Sequence, residues 1–177
     1  MRIYVARHGE TEWNVLWKVC GRTDIPLTEN GQRQAQQLAE DAQGRGIDMI
    51  IASPMLRARQ TAQAVADRLG LPVNTDPRLI EQDYGIFEGA YRKDPGFLHC
   101  KRNFATRYPG GESMLDLAHR VYAFLDELKE SHPDRTVLLV CHGGVMRSIR
   151  SYFEDMTNEE YFDYTASNAA LTAYEYR

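Results

Sequence analysis

Two histidines in the sequence each follow a short apolar segment and precede a glycine. Met1–Ala6 leads into Arg7-His8-Gly9, and Thr136–Cys141 leads into His142-Gly143-Gly144. A histidine can act as a nucleophile or carry a proton near neutral pH, and glycine lets the backbone approach a ligand closely. A lone histidine is more often a hydrogen-bonded core or loop residue, but two at equivalent positions weaken that interpretation. If the segments are neighbouring strands, we expect both imidazoles and Arg7 to meet.

Two further residues could complete a site for an anion. Arg57 follows Ser53-Pro54, where we expect a strand to give way to a helix. A guanidinium beside a helix N-terminus suits bidentate phosphate binding. Glu81 follows the apolar pair Leu79-Ile80 and could donate a proton if it faces a partly desolvated pocket. Each has a simpler interpretation, Arg57 as a surface charge and Glu81 as a solvated turn residue.

The motifs of several other catalytic classes are absent from the sequence. It contains no HExxH motif, no paired-cysteine spacing, no GxSxG elbow and no P-loop. Two histidines, two arginines and one carboxylate without a metal motif indicate phosphoryl transfer through a histidine nucleophile. We therefore expect neither a metal nor another cofactor.

Alternating strand-like and helical segments must position these residues. Short apolar runs predict strands, and apolar residues at helical spacing predict helices. The predicted strands are Met1–Ala6, Asp48–Ala52, Thr136–Cys141 and Ala170–Tyr176, and the predicted helices are Thr28–Gln43, the segment from Ser53-Pro54 to Gly70, and Ser113–Glu130. This alternation predicts an α/β fold with a mostly parallel central sheet and helices on both faces.

Composition places the chain among globular proteins. Its 177 residues are a single domain's length, and 43% are hydrophobic. A net charge of −4 argues against a nucleic-acid partner, and no apolar run is long enough to span a membrane. Three widely spaced cysteines and the lack of a leader segment favour a cytoplasmic location.

One stretch departs from the alternating pattern and from the acidic balance. Ala90–Tyr108 carries five basic residues against one acid, interleaved with four aromatic residues. A solvated loop would explain the charges alone. A basic and aromatic segment in an acidic protein is better explained as a lid-like insertion, at about 90–110, that attracts an anion.

Six segments, in this order, resemble the histidine phosphatase superfamily, which includes the cofactor-dependent phosphoglycerate mutases. They are Arg7–Asn14, Gly21–Thr28, Ser53–Ala58, Leu79–Gly89, Gly110–Ser113 and Val140–Gly144. Each segment alone is weak evidence for the family, but together the six segments are spread over nearly the whole chain. The resemblance implies one domain over residues 1–177, with a three-layer phosphoglycerate mutase-like sandwich.

The resemblance also implies a role for each candidate residue. His8 would attack phosphorus and become a phosphohistidine, while Arg7, Arg57 and His142 would hold the phosphoryl oxygens. Glu81 would protonate the leaving alcohol and then deprotonate the attacking water. Further phosphate or substrate contacts are implied for Asn14, Cys20, Gly21, Tyr84 and Gly143. Cys20 departs from the small hydroxylated residue usual at its position.

Three functions are compatible with these residues. We favour a phosphomonoester hydrolase, α-ribazole phosphatase-like or broad in specificity, because Gly144 follows Gly143 where the mutases usually carry asparagine. The end of the chain at Arg177, with no tail to cover a phosphohistidine, also favours hydrolysis. A cofactor-dependent phosphoglycerate mutase is the alternative, and a catalytically silent binding relative is the third.

The expected partner is a small phosphorylated metabolite. The basic charge of Ala90–Tyr108 indicates a substrate with additional negative charge, such as a phosphorylated acid or a sugar phosphate. The sequence does not indicate an oligomeric state.

Overall fold

The computed structural model describes residues 1–176, which form five strands and seven α-helices. The strands are β1 (Arg2–Arg7), β2 (Met49–Ala52), β3 (Val73–Thr75), β4 (Thr136–Cys141) and β5 (Leu171–Glu175). The helices are α1 (Glu12–Val15), α2 (Glu29–Ala42), α3 (Leu56–Leu69), α4 (Pro95–Arg102), α5 (Met114–Ser131), α6 (Gly143–Phe153) and α7 (Asn158–Asp163).

The strands form one sheet in the order β3-β2-β4-β1-β5, and only β5 is antiparallel to its neighbour. The two strands that precede the histidines are paired in parallel, with Arg7 opposite Cys141. His8 continues this pairing, because its N–H donates to the Cys141 carbonyl at 3.0 Å. The expected neighbouring of the two strand ends is therefore confirmed.

Helices cover both faces of the sheet because β1 and β4 are apolar on both sides. Ile3 and Val5 face one hydrophobic core, which α5 and α6 complete. Tyr4 and Ala6 face the other core, against α2 and α3. Successive residues of a strand point to opposite faces, so a continuous apolar run is what a doubly covered strand requires. The predicted three-layer α/β architecture is confirmed.

The ends of the elements follow local signals in the sequence. Thr28 caps α2 through the Gly31 N–H, and Gly70 ends α3 with a left-handed φ of 69°. Pro54, which we expected in the first turn of α3, instead precedes its N-cap residue, Met55. The helix therefore begins at Leu56, and Arg57 is its second residue.

The sequence patterns missed several elements, among them β3, α4 and α6. The strand β3 has only three residues at the edge of the sheet, too few to show a period. The helix α4 lies inside Ala90–Tyr108, where Phe97 and Tyr108 stack and form a small core with Val19. The expected lid-like segment is thus a packed structure over the end of the sheet. No helix within residues 1–176 combines the length and apolarity needed to cross a lipid bilayer.

Candidate active site

The ends of β1 and β4 place two imidazoles side by side. The ring centroids of His8 and His142 are 5.2 Å apart, and both side chains are buried. A cavity of about 210 Å³ opens at this end of the sheet. Seven of the ten predicted site residues line it, namely Arg7, His8, Asn14, Cys20, Glu81, Tyr84 and Gly143.

The hydrogen bonds of His8 define which of its nitrogens can react. Its Nδ1 lies 2.7 Å from the carbonyl oxygen of Gly9. A carbonyl oxygen only accepts hydrogen bonds, so in the neutral ring Nδ1 carries the proton and Nε2 keeps its lone pair. Burial lowers the pKa of His8 well below 6.5, and Arg7 and Arg57 add to this effect. The ring is therefore a neutral imidazole at physiological pH, with burial rather than the arginines as the main cause.

His142 is oriented by a serine that sequence reasoning did not single out. Its Nε2 lies 2.8 Å from Ser53 Oγ, and that oxygen also accepts the N–H of Met55 at 3.3 Å. Either atom of this pair can be the donor, and the hydrogen bond fixes the orientation of the imidazole ring. Nδ1 is buried and has no partner within the described residues. Burial, Arg57 and His8 lower the pKa of His142 well below 6.5, so it too is neutral.

Two arginines flank the imidazoles, and neither forms an ion pair within residues 1–176. Arg57 is completely buried, and its Nη1 and Nη2 donate to the carbonyls of Thr23 and Gly21 at 2.8 Å. Arg7 donates to the Ala166 carbonyl at 2.7 Å. The Nε atoms of both guanidinium groups are buried without a partner. A buried cation without a counterion is costly, so this arrangement suits a bound anion.

Glu81 provides a carboxylate on the same cavity. Its Oε1 accepts the N–H of Gln82 at 2.8 Å, and its Oε2 accepts the N–H of Gly144 at 3.0 Å. Gly144 leaves little room beside it, because a Cβ atom there would lie 2.6 Å from Oε1. The carboxylate is therefore held in one position against the first turn of α6.

Asn14 and Tyr84 also line the cavity. The Asn14 Oδ1 accepts hydrogen bonds from Thr11 and Asn168, which leaves its amide nitrogen as the group that can donate to a ligand. Tyr84 packs edge-on against Tyr108 and Phe97. Burial raises the pKa of its hydroxyl, so Tyr84 stays neutral.

Cys20 and Gly21 have different environments. Cys20 lines the cavity, and its Sγ lies 3.8 Å from the Thr23 carbonyl oxygen. Burial raises the pKa of its thiol to about 11, so Cys20 is a neutral side chain and not a nucleophile. Gly21 is buried outside the cavity lining. Its carbonyl binds Arg57, and its N–H donates to Glu88 at 2.9 Å.

The structure adds residues that the sequence did not single out. Glu88 accepts the N–H groups of Gly21, Arg22 and Thr23, and so holds the loop whose carbonyls position Arg57. Asn168 donates to the His8 carbonyl at 2.8 Å. Glu88 lies inside the matched segment Leu79–Gly89, which was a usable signal, whereas no pattern marked Asn168.

Chemically, the site joins a neutral imidazole with a free Nε2 lone pair, a second imidazole, one carboxylate and two guanidinium groups that form no ion pair within residues 1–176. These are the parts required to bind a phosphoryl group, transfer it to nitrogen and move one proton. Among the described residues, no group of three or more histidine, cysteine or acidic side chains is arranged to hold a metal ion.

Comparison with known proteins agrees with this geometry. The family model of the histidine phosphatase superfamily (branch 1) matches residues 3–177. The chain therefore belongs to the histidine phosphatase superfamily.

Some relatives of the chain are named as phosphoglycerate mutases and others as phosphatases. "Probable phosphoglycerate mutase GpmB" from Enterobacter sp. (strain 638) is 39% identical over 150 residues, covering 81% of this chain and 70% of that protein. A mycobacterial glucosyl-3-phosphoglycerate phosphatase superposes with a TM-score of 0.85 and 33% identity, over 97% of this chain and 88% of the other. A phosphoserine phosphatase variant from Entamoeba histolytica, in complex with phosphoserine, superposes with a TM-score of 0.89 and 27% identity, over 99% and 91% of the chains.

Proposed function

We propose that this protein is a metal-independent phosphatase that hydrolyses small phosphomonoesters through a phosphohistidine on His8. The observation that carries this proposal is the hydrogen bond from His8 Nδ1 to the Gly9 carbonyl, at 2.7 Å. It directs the lone pair of Nε2 away from the backbone, on a residue that lines the cavity. The guanidinium groups of Arg7 and Arg57, whose Nε atoms are buried without a partner among the described residues, supply positive charge for the phosphoryl oxygens.

The reaction takes place in two steps. His8 Nε2 attacks phosphorus, the P–O bond to the alcohol breaks, and Glu81 in its protonated form gives its proton to the departing oxygen. The Glu81 carboxylate then removes a proton from water, the water oxygen attacks phosphorus, and the P–N bond breaks. Inorganic phosphate leaves, and both His8 and Glu81 return to their starting forms.

Two observations favour hydrolysis over phosphoryl return to a second alcohol. Gly144 occupies the position where the mutases usually carry asparagine, and the Glu81 carboxylate packs into the space that a side chain there would fill. Both structural neighbours described above are named as phosphatases. We expect the substrate to be a small phosphorylated metabolite in the cytoplasm, with neither nucleic acid nor membrane as a partner.

A cofactor-dependent phosphoglycerate mutase is the second candidate, because the GpmB relative carries that name at 39% identity. A mutase would need a bisphosphorylated primer and would convert 3-phosphoglycerate without net phosphate release. A catalytically silent relative is the third candidate. It would bind phosphate without labelling His8, although every position that the reaction needs is occupied here.

The test is phosphate release from an aryl phosphate in the presence of EDTA, with the wild type and His8→Ala compared. We expect activity that survives the chelator and disappears in the variant. Activity retained by His8→Ala would overturn the mechanism. Absence of activity in both proteins, followed by primer-dependent conversion of 3-phosphoglycerate, would establish the mutase instead.

A further inference from the structure

An arginine and a glutamate outside the cavity hold the part of the chain that carries Glu81. Glu81–Tyr84 lies outside the helices and strands given above. A segment of this kind lacks a regular ladder of backbone hydrogen bonds, so other contacts must fix its position. Arg120 on α5 and Glu112, just before that helix, supply such contacts. Neither side chain lines the cavity.

Arg120 directs its guanidinium group at two carbonyls and one carboxylate. Its Nη1 donates to the carbonyl of Arg78 at 2.5 Å, and its Nη2 donates to the carbonyl of Glu81 at 3.2 Å. Nε and Nη2 also donate to the two carboxylate oxygens of Glu112, both at 3.0 Å. This bidentate pairing fixes the plane of the guanidinium group, and with it the direction of the bonds to the two carbonyls.

Glu112 holds the same segment just beyond Glu81. Its Oε2 accepts the N–H of Asp83 at 3.0 Å, and its own N–H donates to the Asp83 carbonyl at 2.9 Å. Burial alone would raise the pKa of Glu112, but hydrogen bonds from Arg120 and Asp83 lower it, so the group is a carboxylate at neutral pH. The pair therefore binds the backbone on both sides of Gln82, whose N–H binds the Glu81 carboxylate.

Close backbone packing transmits any movement between these stretches. A Cβ atom at Gly111 would lie 2.3 Å from the carbonyl oxygen of Asp83, and one at Gly85 would lie 2.0 Å from that of Pro109. The two stretches thus touch backbone to backbone, without side chains between them that could adjust. A displacement of Glu112 would therefore move Asp83 as well.

The energetics of the pair favour a role in geometry over a role in stability. The side chains of Arg120 and Glu112 are only 17% and 21% exposed, so both have lost most of their hydration. A largely desolvated ion pair adds little net stability, because its Coulomb attraction roughly offsets the desolvation penalty. Its directional hydrogen bonds, in contrast, select one arrangement of the backbone they contact.

We propose that Arg120 and Glu112 act together as positioning residues for the Glu81 carboxyl group. The pair holds the backbone around Gln82, and the Gln82 N–H in turn donates to Glu81 Oε1 at 2.8 Å. The proposal rests on the proposed function, in which Glu81 gives its proton to the leaving alcohol. Loss of the pair would displace the carboxyl group, so the effect should fall on proton transfer.

The test is the dependence of kcat/KM on the leaving group in Arg120→Met. An alkyl leaving group needs the Glu81 proton, whereas an aryl leaving group departs readily without it. We expect kcat/KM to fall about 10- to 100-fold for an alkyl phosphate and much less for an aryl phosphate. Arg120→Lys keeps the charge without the planar fork and should lose less. An equal loss for both substrates in both variants would indicate a purely structural role and would overturn the proposal.

Glu112→Gln tests the proposal even if Arg120→Met fails to fold. It removes the negative charge and one of the two acceptor oxygens, and it keeps the size of the side chain. We expect kcat/KM to fall about 10-fold more for the alkyl phosphate than for the aryl phosphate. Equal losses for the two substrates would contradict a positioning role for Glu112.

Arg78→Met is the matched control. The Arg78 side chain also joins this part of the chain to α5, but it pairs with Asp76 and Glu127 and not with the backbone around Glu81. The ratio of kcat/KM for the alkyl and aryl phosphates should equal that of the wild type. A selective loss as large as that of Arg120→Met would mean that any ion pair between these segments has the effect, and the proposal would be refuted.

Amide hydrogen exchange at Gln82 and Gly144 separates this proposal from the proposed function. Both N–H groups donate to the Glu81 carboxylate, so they report on its position without any turnover. Relative to the amides of β4, we expect both to exchange about 10-fold faster in Arg120→Met and at the wild-type rate in Arg78→Met. That result with no phosphate release by the wild type would retain the positioning role and reject the phosphatase. Phosphate release by the wild type with unchanged exchange in Arg120→Met would do the opposite.

Discussion

The packing between Gly144 and Glu81 makes one glycine a sensitive test of the mechanism. A Cβ atom at Gly144 would lie 2.6 Å from Glu81 Oε1, against an ordinary contact distance of 3.4 Å or more. In Gly144→Ala the carboxylate must therefore move by about 0.8 Å. The clashing atom is the end of a side chain and not the backbone, so we expect the variant to fold with little loss of stability.

The expected cost is in catalysis. Displacement of a reacting group by about 1 Å can lower a rate about 100-fold, and correct proton transfer contributes about 100-fold or more. We therefore expect kcat/KM for an alkyl phosphate, whose leaving oxygen needs a proton when His8 is phosphorylated, to fall by about 10- to 100-fold. An aryl leaving group departs readily without a proton, so kcat/KM for an aryl phosphate, which reports on the phosphorylation of His8 alone, should change much less.

Phosphate release from both substrates, with Glu81→Gln measured alongside, is the appropriate assay. If Gly144→Ala acts through the carboxylate, the double variant should be no slower than Glu81→Gln alone. A loss of kcat/KM that is equal for both leaving groups, or that multiplies in the double variant, would refute this account of Glu81 and its packing.

Three further predictions follow from the environment of the site. The pKa of His8 and His142 is lowered, chiefly by burial, so the unfolded chain takes up protons first as the pH falls below 6.5. The free energy of unfolding should then decrease by up to about 1.4 kcal/mol per pH unit for each histidine. Denaturant unfolding measured at several values between about pH 7 and 5 should show a weaker dependence on pH for His8→Ala than for the wild type. Ser53→Ala should lower kcat/KM about 10-fold, because the His142 ring loses the hydrogen bond that orients it; an unchanged kcat/KM would contradict this role of Ser53. Glu88→Gln should loosen the loop that positions Arg57 and weaken inhibition by inorganic phosphate about 10-fold, whereas an unchanged inhibition constant would show that the loop holds without it.

The fold was largely predictable because its strongest signals are local. The continuous apolar run of β4 indicated a strand covered on both faces, and Thr28 and Gly70 marked helix ends. The short strand β3 gave no such signal, since its pairing with β2 depends on contacts distant in sequence. The helix α4 was hidden because its charges resembled those of a solvated loop.

The site was predictable to the extent that its residues sit at strand ends. His8 and His142 could be brought together from the sequence, because parallel strands end at the same edge of a sheet. The roles of Ser53 and Glu88 depend on hydrogen bonds between segments far apart in the chain, which no spacing reveals.

The central claim is that His8 carries the phosphoryl group, and direct detection of that group tests it best. The measurement is intact-protein and peptide mass spectrometry after an alkaline quench during turnover of an aryl phosphate. We predict one added phosphoryl group on the peptide containing His8 in the wild type, and more of it in Glu81→Gln, whose dephosphorylation lacks the base. Phosphate release without any label at His8, or with a label on another residue, would contradict the account.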